Sequence, residues 1–279
     1  MLKKIFVVAL CSAVLAAGVI ATGYSKEEKK TLKIGMECTS APYNWTQFSP
    51  EGGAVKIADS SEYANGYDVI ISKMLADALG MELEIQKIEW NSIPPAIVSG
   101  KIDAAIAGMG ITEERKHSLD FTVPYYYANI IAMVREGSPL ANAKSLEDLR
   151  GVSATSMFNT LWYDQVDQIP DVNKLPPLET VPAMIVSLLS GKCDCLVIDV
   201  PSARAVKTTN PEVVLLEFPE GKGFTLTDED VDIGVALRKG NTELREAMNA
   251  VLSKLTKEDH RALMDMAIAA QPLAKFQQN

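Results

Sequence analysis

Histidine and cysteine are scarce in this chain, with two histidines and four cysteines among 279 residues. No group of these residues has the spacing of a metal site, so zinc and similar centres are not expected. A G-x-S-x-G elbow and a histidine base close to an acid are missing as well, and many hydrolases depend on these groups. The sequence therefore predicts no metal, no cofactor and no catalytic residues, and it indicates that the protein is not an enzyme.

Positive charge is also in short supply. The 27 lysine and arginine residues face 36 aspartate and glutamate residues, which gives a net charge of −9. Nucleic acids and anionic membranes repel a chain of this charge, so neither is expected as a partner. The same balance is compatible with a cationic ligand.

Long hydrophobic runs are missing after residue 21. The run over residues 5–21 follows Lys3 and Lys4 and ends in small residues, which is the pattern of a secretory signal peptide over residues 1–23. An uncleaved membrane anchor is the alternative, because the run is close to the lower limit of a membrane span. We expect a periplasmic, monomeric protein that is released by cleavage of this peptide.

Three cysteines remain beyond the predicted signal peptide: Cys38, Cys193 and Cys195. An odd number leaves at least one thiol unpaired in an oxidising compartment. Cys193 and Cys195 lie two residues apart on one face of a predicted strand, where a disulfide between them would be strained. We expect ordinary buried thiols at these positions.

Strand-like and helix-like segments alternate along the chain, which is typical of an α/β protein with mostly parallel sheets flanked by helices. The strand-like segments are 32–37, 82–87, 102–107, 128–134, 154–157, 195–198 and 231–237. The helix-like segments are 67–79, 92–99, 145–149, 182–189, 242–255 and 257–270, and a further helix begins near residue 160. Residues 46–65 are polar and have no periodicity, so they are either a functional rim or an ordered excursion.

Two of these strands, 128–134 and 231–237, read as extended crossings from one sheet to another. Two crossings imply two lobes joined by two hinge strands, the first of them discontinuous. We predict that the first lobe comprises residues 31–131 plus 236–279 and that the second comprises residues 132–235.

The segment over residues 99–127, SGKIDAAIAGMGITEERKHSLDFTVPYYY, places one arginine where an anion would be bound. Thr112 is a candidate N-cap for a helical turn whose first positions hold two glutamates, as the helix dipole favours. Arg115 lies in the same turn, where a cation gains nothing from the dipole and therefore indicates an anionic partner. A surface arginine paired with Glu113, Glu114 or Asp120 is the alternative.

Several segments together resemble the amino-acid-binding proteins of ABC importers, a family of two-lobed solute-binding proteins. The matching segments, in family order, are IGMECTSAPYNW at 34–45, GYDV at 66–69, residues 90–127, NTLWYD at 159–164, residues 182–199 and residues 231–241. The resemblance implies two α/β lobes that close by a hinge over a ligand cleft. It also implies a free amino acid as ligand and an ABC-transporter membrane permease as partner.

The resemblance further implies a set of residues that hold the zwitterionic part of an amino acid. Arg115 matches the arginine that binds the α-carboxylate, and the backbone of Gly108, Met109 and Gly110 is expected to add donors or acceptors. Many relatives carry a hydroxyl where this chain has Gly110. Asn159 and Thr160 match a helix N-terminus that faces the same carboxylate, although Thr160 is equally suited to cap its own helix.

Asp199 matches the acid that accepts the α-ammonium group, and it is also suited to be the N-cap of the helix after Pro201. Glu37 matches an acidic position that faces the ligand side chain and favours a guanidinium, an ammonium or the amide of glutamine. Tyr67 matches an aromatic residue that stacks on the ligand, with packing in the core as the alternative. Ser40 stands where an aromatic is common, which leaves the second side of the stack unassigned.

The function predicted from these residues is the extracytoplasmic binding of a polar amino acid, with basic amino acids or glutamine favoured, and its delivery to a permease by hinge closure. One alternative is an enzyme of the same fold that resembles cyclohexadienyl or arogenate dehydratases. Another is a soluble amino-acid sensor.

Overall fold

The computed structural model describes residues 29–271, so the predicted signal peptide lies outside the described residues. In chain order the strands are β1 (Thr31–Met36), β2 (Thr39–Ser40), β3 (Asn44–Gln47), β4 (Val55–Lys56), β5 (Tyr63–Asn65), β6 (Glu82–Lys87), β7 (Ala104–Ala105), β8 (Leu119–Tyr127), β9 (Ile130–Arg135), β10 (Ser153–Thr155), β11 (Asn173–Lys174), β12 (Cys195–Asp199), β13 (Val213–Leu216) and β14 (Asp232–Arg238). The α-helices are α1 (Tyr67–Leu79), α2 (Ile93–Ser99), α3 (Glu113–Lys116), α4 (Leu161–Gln165), α5 (Val181–Leu189), α6 (Val200–Thr209), α7 (Asp228–Val231), α8 (Thr242–Leu252) and α9 (Lys257–Ala270).

The first sheet has the strand order β6-β1-β7-β14-β8. β6, β1 and β7 are parallel, whereas β14 runs antiparallel to both β7 and β8. The core of this lobe comes from the apolar residues of β1 and from the buried face of α1. α1 ends where sequence predicts it to end, because Gly80 adopts the left-handed conformation (φ 67°) that closes a helix.

The second sheet has the order β11-β10-β12-β9-β13. β11, β10 and β12 are parallel, and β9 runs antiparallel to β12 and β13. Every residue of β12 is buried, as expected of a central strand covered on both faces. Cys38, Cys193 and Cys195 are free and buried, as the sequence predicts.

Two segments connect the sheets and lie side by side. The chain leaves the first sheet after Tyr127 and enters β9 at Ile130, and it returns to the first sheet at Asp232. The backbone N–H of Ala128 donates to the carbonyl of Val231 at 2.8 Å, which ties one connection to the other. A two-lobed α/β fold with two crossings is therefore present, while the lobe boundaries at residues 131/132 and 235/236 stay a prediction.

Other details differ from the sequence-based expectations. Residues 46–65, which showed no periodicity, belong largely to a small antiparallel sheet of order β2-β3-β5-β4, so this segment is an ordered excursion. The helix expected at 145–149 is a 3-10 turn, Leu146–Leu149. β7 is shorter than predicted, and β13 was not predicted at all. Within residues 29–271, no helix has the length and hydrophobicity needed to cross a membrane.

Candidate functional site

A cleft lies between the two lobes. Its walls include the loops that follow the carboxyl ends of β1, β7, β10 and β12, which is where α/β folds bind ligands. The lining residues are Glu37, Ser40, Tyr43, Trp90, Ala107, Gly108, Gly110, Arg115, Ala128, Met157, Thr160, Leu161, Trp162, Asp199, Asp230, Val231, Asp232 and Ile233. Seven of the ten residues predicted for the site are among them.

Arg115 stands at one end of the cleft without an acidic partner. Thr112 caps its helical turn, since the Thr112 hydroxyl accepts from the Arg115 backbone N–H at 3.1 Å. The guanidinium donates to the carbonyl oxygens of Gly110 and Asn159, each at 2.9 Å. Within residues 29–271 no carboxylate lies within ion-pair distance of it, and burial lowers its pKa.

Two of the three acids proposed as surface partners of this arginine are engaged elsewhere, and the third, Glu114, acts on Arg115 through its charge without forming an ion pair among the described residues. Glu113 pairs with Lys116, and Asp120 lies near Lys239 and Arg245. Because a guanidinium has five N–H donors and Arg115 uses two of them on carbonyl groups, the others remain available to a ligand. This end of the cleft can bind a carboxylate.

Asn159 connects the two lobes at this end through its backbone. Its carbonyl accepts from Arg115 and from the indole N–H of Trp90, the latter at 3.1 Å. Asn159 has a left-handed conformation (φ 55°), and its side chain is exposed. The ring of Trp90 also lies under the guanidinium, 5.6 Å from centroid to Cζ, so it holds that group by a cation–π contact.

Thr160 lines the cleft just before α4. Its hydroxyl donates to the carbonyl of Met157 at 2.7 Å and makes no capping bond to α4. The alternative, that Thr160 caps its own helix through its side chain, is therefore not what the structure shows. Its role toward a carboxylate stays a prediction.

Asp199 is buried in the second-lobe wall of the cleft, and each of its two carboxylate oxygens accepts a hydrogen bond. One carboxylate oxygen accepts from the backbone N–H of Ser202 at 2.8 Å and caps α6, and the other accepts from the hydroxyl of Tyr43 at 2.8 Å. Tyr43 belongs to the first lobe and Asp199 to the second, so this hydrogen bond crosses the cleft. Burial raises the pKa of Asp199 to about 6.

Glu37 and Ser40 form a polar pair in the first-lobe wall. The Ser40 hydroxyl donates to the Glu37 carboxylate at 2.8 Å, and Glu37 is only 5% exposed. Burial raises the pKa of Glu37, with the Ser40 hydrogen bond acting in the opposite direction. A buried acid at the wall of a cleft favours a ligand that brings a cation or a hydrogen-bond donor.

The glycine-containing loop contributes less backbone than expected. The N–H of Gly108 donates to the hydroxyl of Tyr125 at 2.9 Å and is thus occupied within the protein. Gly108 has φ 62°, and a Cβ there would lie 3.2 Å from the ring of Tyr43. The Met109 carbonyl accepts from Gly234, and the Met109 side chain is buried outside the cleft lining. The side chain of Met109 is therefore not a ligand contact, while a contact through its backbone N–H stays a prediction.

Tyr67 is the second correction. It is fully buried, and its ring stacks on Tyr125 with a centroid separation of 5.8 Å. Its hydroxyl bonds to the Tyr125 carbonyl and to Nδ1 of His260. The core-packing alternative applies, because α1 turns this residue inward toward β8 and α9 and away from the cleft.

The aromatic residues at the cleft are Tyr43, Trp90 and Trp162. Tyr43 and Trp90 lie in segments that carry the family resemblance, but neither was assigned to the site. Trp45, which lies in the same segment as Tyr43, is buried and donates to Gln47. Asp232 lies in the segment predicted only as a crossing strand and Asp230 directly precedes it, so neither is among the predicted site residues.

The sequence matches the model of the bacterial extracellular solute-binding proteins, family 3, over residues 32–265. The ABC transporter glutamine-binding protein GlnH of Bacillus subtilis is 30% identical over 275 residues, which are 93% of this chain and 94% of the relative. The L-cystine-binding protein TcyJ of Escherichia coli K12 is 28% identical over 233 residues, 83% of this chain and 80% of the relative. A solved ancestral arginine-binding protein bound to arginine is 30% identical, with a TM-score of 0.67 over 85% of this chain and 98% of that one.

These matches confirm the resemblance to amino-acid-binding proteins of ABC importers and the two-lobed α/β fold that it implied. They also place the chain among non-catalytic solute-binding proteins, so the dehydratase alternative falls away. The family model spans most of the chain, from β1 into α9. This chain belongs to the bacterial extracellular solute-binding proteins, family 3.

Proposed function

We propose that the cleft binds a basic amino acid or glutamine and that the protein delivers it to the membrane permease of an ABC transporter by hinge closure. One observation carries the proposal: Arg115 lies between the lobes with free N–H donors and no acidic partner among the described residues. A carboxylate is the ligand group that a guanidinium binds in a bidentate manner. Asp199, on the other lobe, supplies the complementary acceptor for an α-ammonium group.

The side-chain preference rests on the charge of the cleft. Arg115 is the one cation among its described lining residues, whereas Glu37, Asp199, Asp230 and Asp232 are acids. Asp230 is already committed, because it accepts from Gln165 and from Thr227. Of the two acids that remain, Glu37 and Asp232, we assign Glu37 to the ligand side chain, because it is buried in the first-lobe wall and favours a guanidinium, an ammonium or an amide donor.

Cystine is a second candidate, since one relative is an L-cystine-binding protein. Cystine carries two carboxylates and two ammonium groups. Its first carboxylate would use Arg115, and the described lining offers no second cation for the other. A buried carboxylate without a cation is costly, so the charges of this cleft disfavour cystine.

A melting-temperature screen over the twenty amino acids, ornithine and cystine tests the proposal. A ligand at a hundred times its Kd stabilises the folded protein by about 2.7 kcal/mol, which raises the melting temperature by several degrees. We expect this shift with arginine, lysine, ornithine or glutamine. Arg115→Ala is expected to lose it, and Arg150→Ala, which removes exposed ion pairs with Glu147 and Asp171, is the matched control. A full shift in Arg115→Ala would contradict the carboxylate assignment.

The same screen on Glu37→Gln tests the side-chain preference. An amide at residue 37 no longer attracts a cation, so we expect binding of arginine or lysine to weaken by about tenfold relative to glutamine. Glu84→Gln, on the exposed side of the first lobe, controls for the loss of one negative charge. An unchanged preference in Glu37→Gln would remove Glu37 from the selecting role.

A further inference from the structure

Gly110 is a glycine for reasons of space. Its φ lies outside the left-handed region, unlike that of Gly108, so an L-amino acid fits its backbone conformation. A Cβ built on Gly110 would lie 2.5 Å from Cδ1 of Leu161, far inside van der Waals contact, and 3.5 Å from Nη1 of Arg115. The side chain of Leu161 therefore fills the place that a side chain at residue 110 would take.

This contact joins the two lobes. Gly110 forms a β-bridge with Ile233 of β14 and so belongs to the first sheet. Leu161 is the first residue of α4, which packs against β12 of the second sheet. Both residues line the cleft.

Gly35 and Gly234 are equally crowded, but by side chains of their own lobe. A Cβ on Gly35 would lie 2.4 Å from Ile102, and a Cβ on Gly234 would lie 2.7 Å from Ile111. In both cases the two residues belong to the first-lobe sheet and the loops next to it. A methyl group at Gly35 or Gly234 meets its own lobe at this distance, whereas a methyl group at Gly110 meets a side chain of the other lobe.

We propose that Gly110 and Leu161 form a steric lock that sets how far the lobes close over Arg115. The inference rests on the proposed function, because closure matters only if the cleft takes a ligand. The Gly110 carbonyl accepts from the guanidinium of Arg115 at 2.9 Å, so the leucine side chain packs against the residue that holds this guanidinium. Hydrocarbon at this position keeps water from the guanidinium and strengthens its attraction for a carboxylate.

Gly110→Ala is the smallest change that occupies the lock. With L-arginine and L-glutamine titrated in parallel by calorimetry, we expect its Kd to be at least tenfold weaker than that of the wild type. The melting temperature without added amino acid should change little, because neither lobe is disturbed. Leu161→Ala in the Gly110→Ala background makes room for the methyl group and should restore most of the lost affinity.

Gly35→Ala is the matched control, since it places a methyl group against an isoleucine within one lobe. It should lower the melting temperature and leave the Kd nearly unchanged. A Gly110→Ala variant that binds like the wild type would overturn the lock. A loss of affinity that Leu161→Ala does not relieve would overturn it as well.

Small-angle scattering separates failure of the lock from failure of the proposed function. If the wild type binds neither amino acid, the proposed function fails. The lock then requires that Gly110→Ala have a larger radius of gyration than the wild type and that the double variant return to the wild-type value. Equal radii in all three proteins would overturn the lock independently of any ligand.

Discussion

Two buried aspartates in this protein have nearly the same surroundings and different uses. Asp68 and Asp199 are at most 1% exposed, and each accepts a hydrogen bond from a tyrosine hydroxyl at 2.8 Å. Burial raises the pKa of Asp68 to about 7 and that of Asp199 to about 6. The partners of Asp68, Asn44 and Tyr125, belong to its own lobe, whereas Tyr43 reaches Asp199 from the other lobe.

The role of an acid–tyrosine pair therefore depends on whether its two residues belong to one lobe or to both. Within one lobe the pair fastens α1 to β8, and its tyrosine also accepts the N–H of Gly108. A pair of the same kind, Tyr43 and Asp199, joins the two lobes and lines the cleft. We therefore expect changes at Asp68 to affect mainly stability and changes at Asp199 to affect mainly binding.

Replacing each aspartate by asparagine gives the largest expected effect. Asp199→Asn keeps an N-cap for α6, since asparagine caps helices well. It removes the charge that would meet an α-ammonium group, so we expect the affinity for the amino acid to fall by on the order of a hundredfold. Calorimetry with the amino acid selected in the melting screen measures this loss.

Asp68→Asn is the counterpart. An amide cannot accept from both Asn44 and Tyr125, so one buried donor loses its acceptor and the free energy of unfolding should fall by about 1–3 kcal/mol at pH 8. The affinity should change by less than about threefold. If Asp68→Asn weakened binding as strongly as Asp199→Asn, the distinction between the two sites would be lost.

The pH dependence should run in opposite directions for stability and binding. The folded protein holds a proton on Asp68 up to about pH 7, whereas the unfolded chain releases it near the ordinary value of 3.8. The folded state therefore binds more protons between these values, and the free energy of unfolding falls as the pH rises through the window, by up to about 1.4 kcal/mol per pH unit. Urea unfolding of the wild type minus that of Asp68→Asn isolates this slope from other carboxylates.

Binding should instead weaken as the pH falls below about 6. Only the ionised carboxylate of Asp199 attracts an ammonium group, so protonation removes affinity by at most about tenfold per pH unit. Titrations at pH 5 and pH 7.5 measure the change, and Asp199→Asn should show a smaller one. Affinity that rises on acidification would contradict the role of Asp199.

The tyrosine hydroxyls should give the smallest effects. Tyr43→Phe removes one cross-lobe hydrogen bond, for which we expect about a threefold to tenfold loss of affinity and little change in melting temperature. Tyr125→Phe leaves one oxygen of Asp68 without its donor and the N–H of Gly108 without its acceptor, so it should lower the melting temperature and affect binding less. Equal effects of Tyr43→Phe and Tyr125→Phe on affinity and on melting temperature would contradict the distinction between the two aspartate sites.

Local signals in the sequence were sufficient for many features of this fold. α1 and α9 run over the predicted residues, and Thr112 caps the turn that holds Arg115. These features depend on capping groups, on glycine at a helix end and on the period of apolar residues, all of which lie within a few residues of one another. The small sheet of β2 to β5 was not predicted, because its strands are short and lie in a polar segment without periodicity.

The errors at the site have a common physical cause. Tyr67 and Tyr43 are both tyrosines in segments that carry the family resemblance, and only the packing of α1 against β8 and α9 decides that Tyr67 points into the core. Met109 and Gly110 are neighbours in sequence, yet one side chain is buried outside the cleft lining while the other position faces Leu161. Long-range packing sets these directions, and no local pattern records it.

By itself the sequence determined the α/β class, the family and the presence of an arginine suited to an anion, since these depend on composition, periodicity and motif order. Only the tertiary structure decided that Arg115 has no acidic partner in the described chain, that Tyr43 meets Asp199 across the lobes and that Leu161 occupies the space above Gly110. The residues of these pairs lie from 51 to 156 positions apart. Their contacts arise from the two crossings between the sheets, which bring distant segments to one cleft.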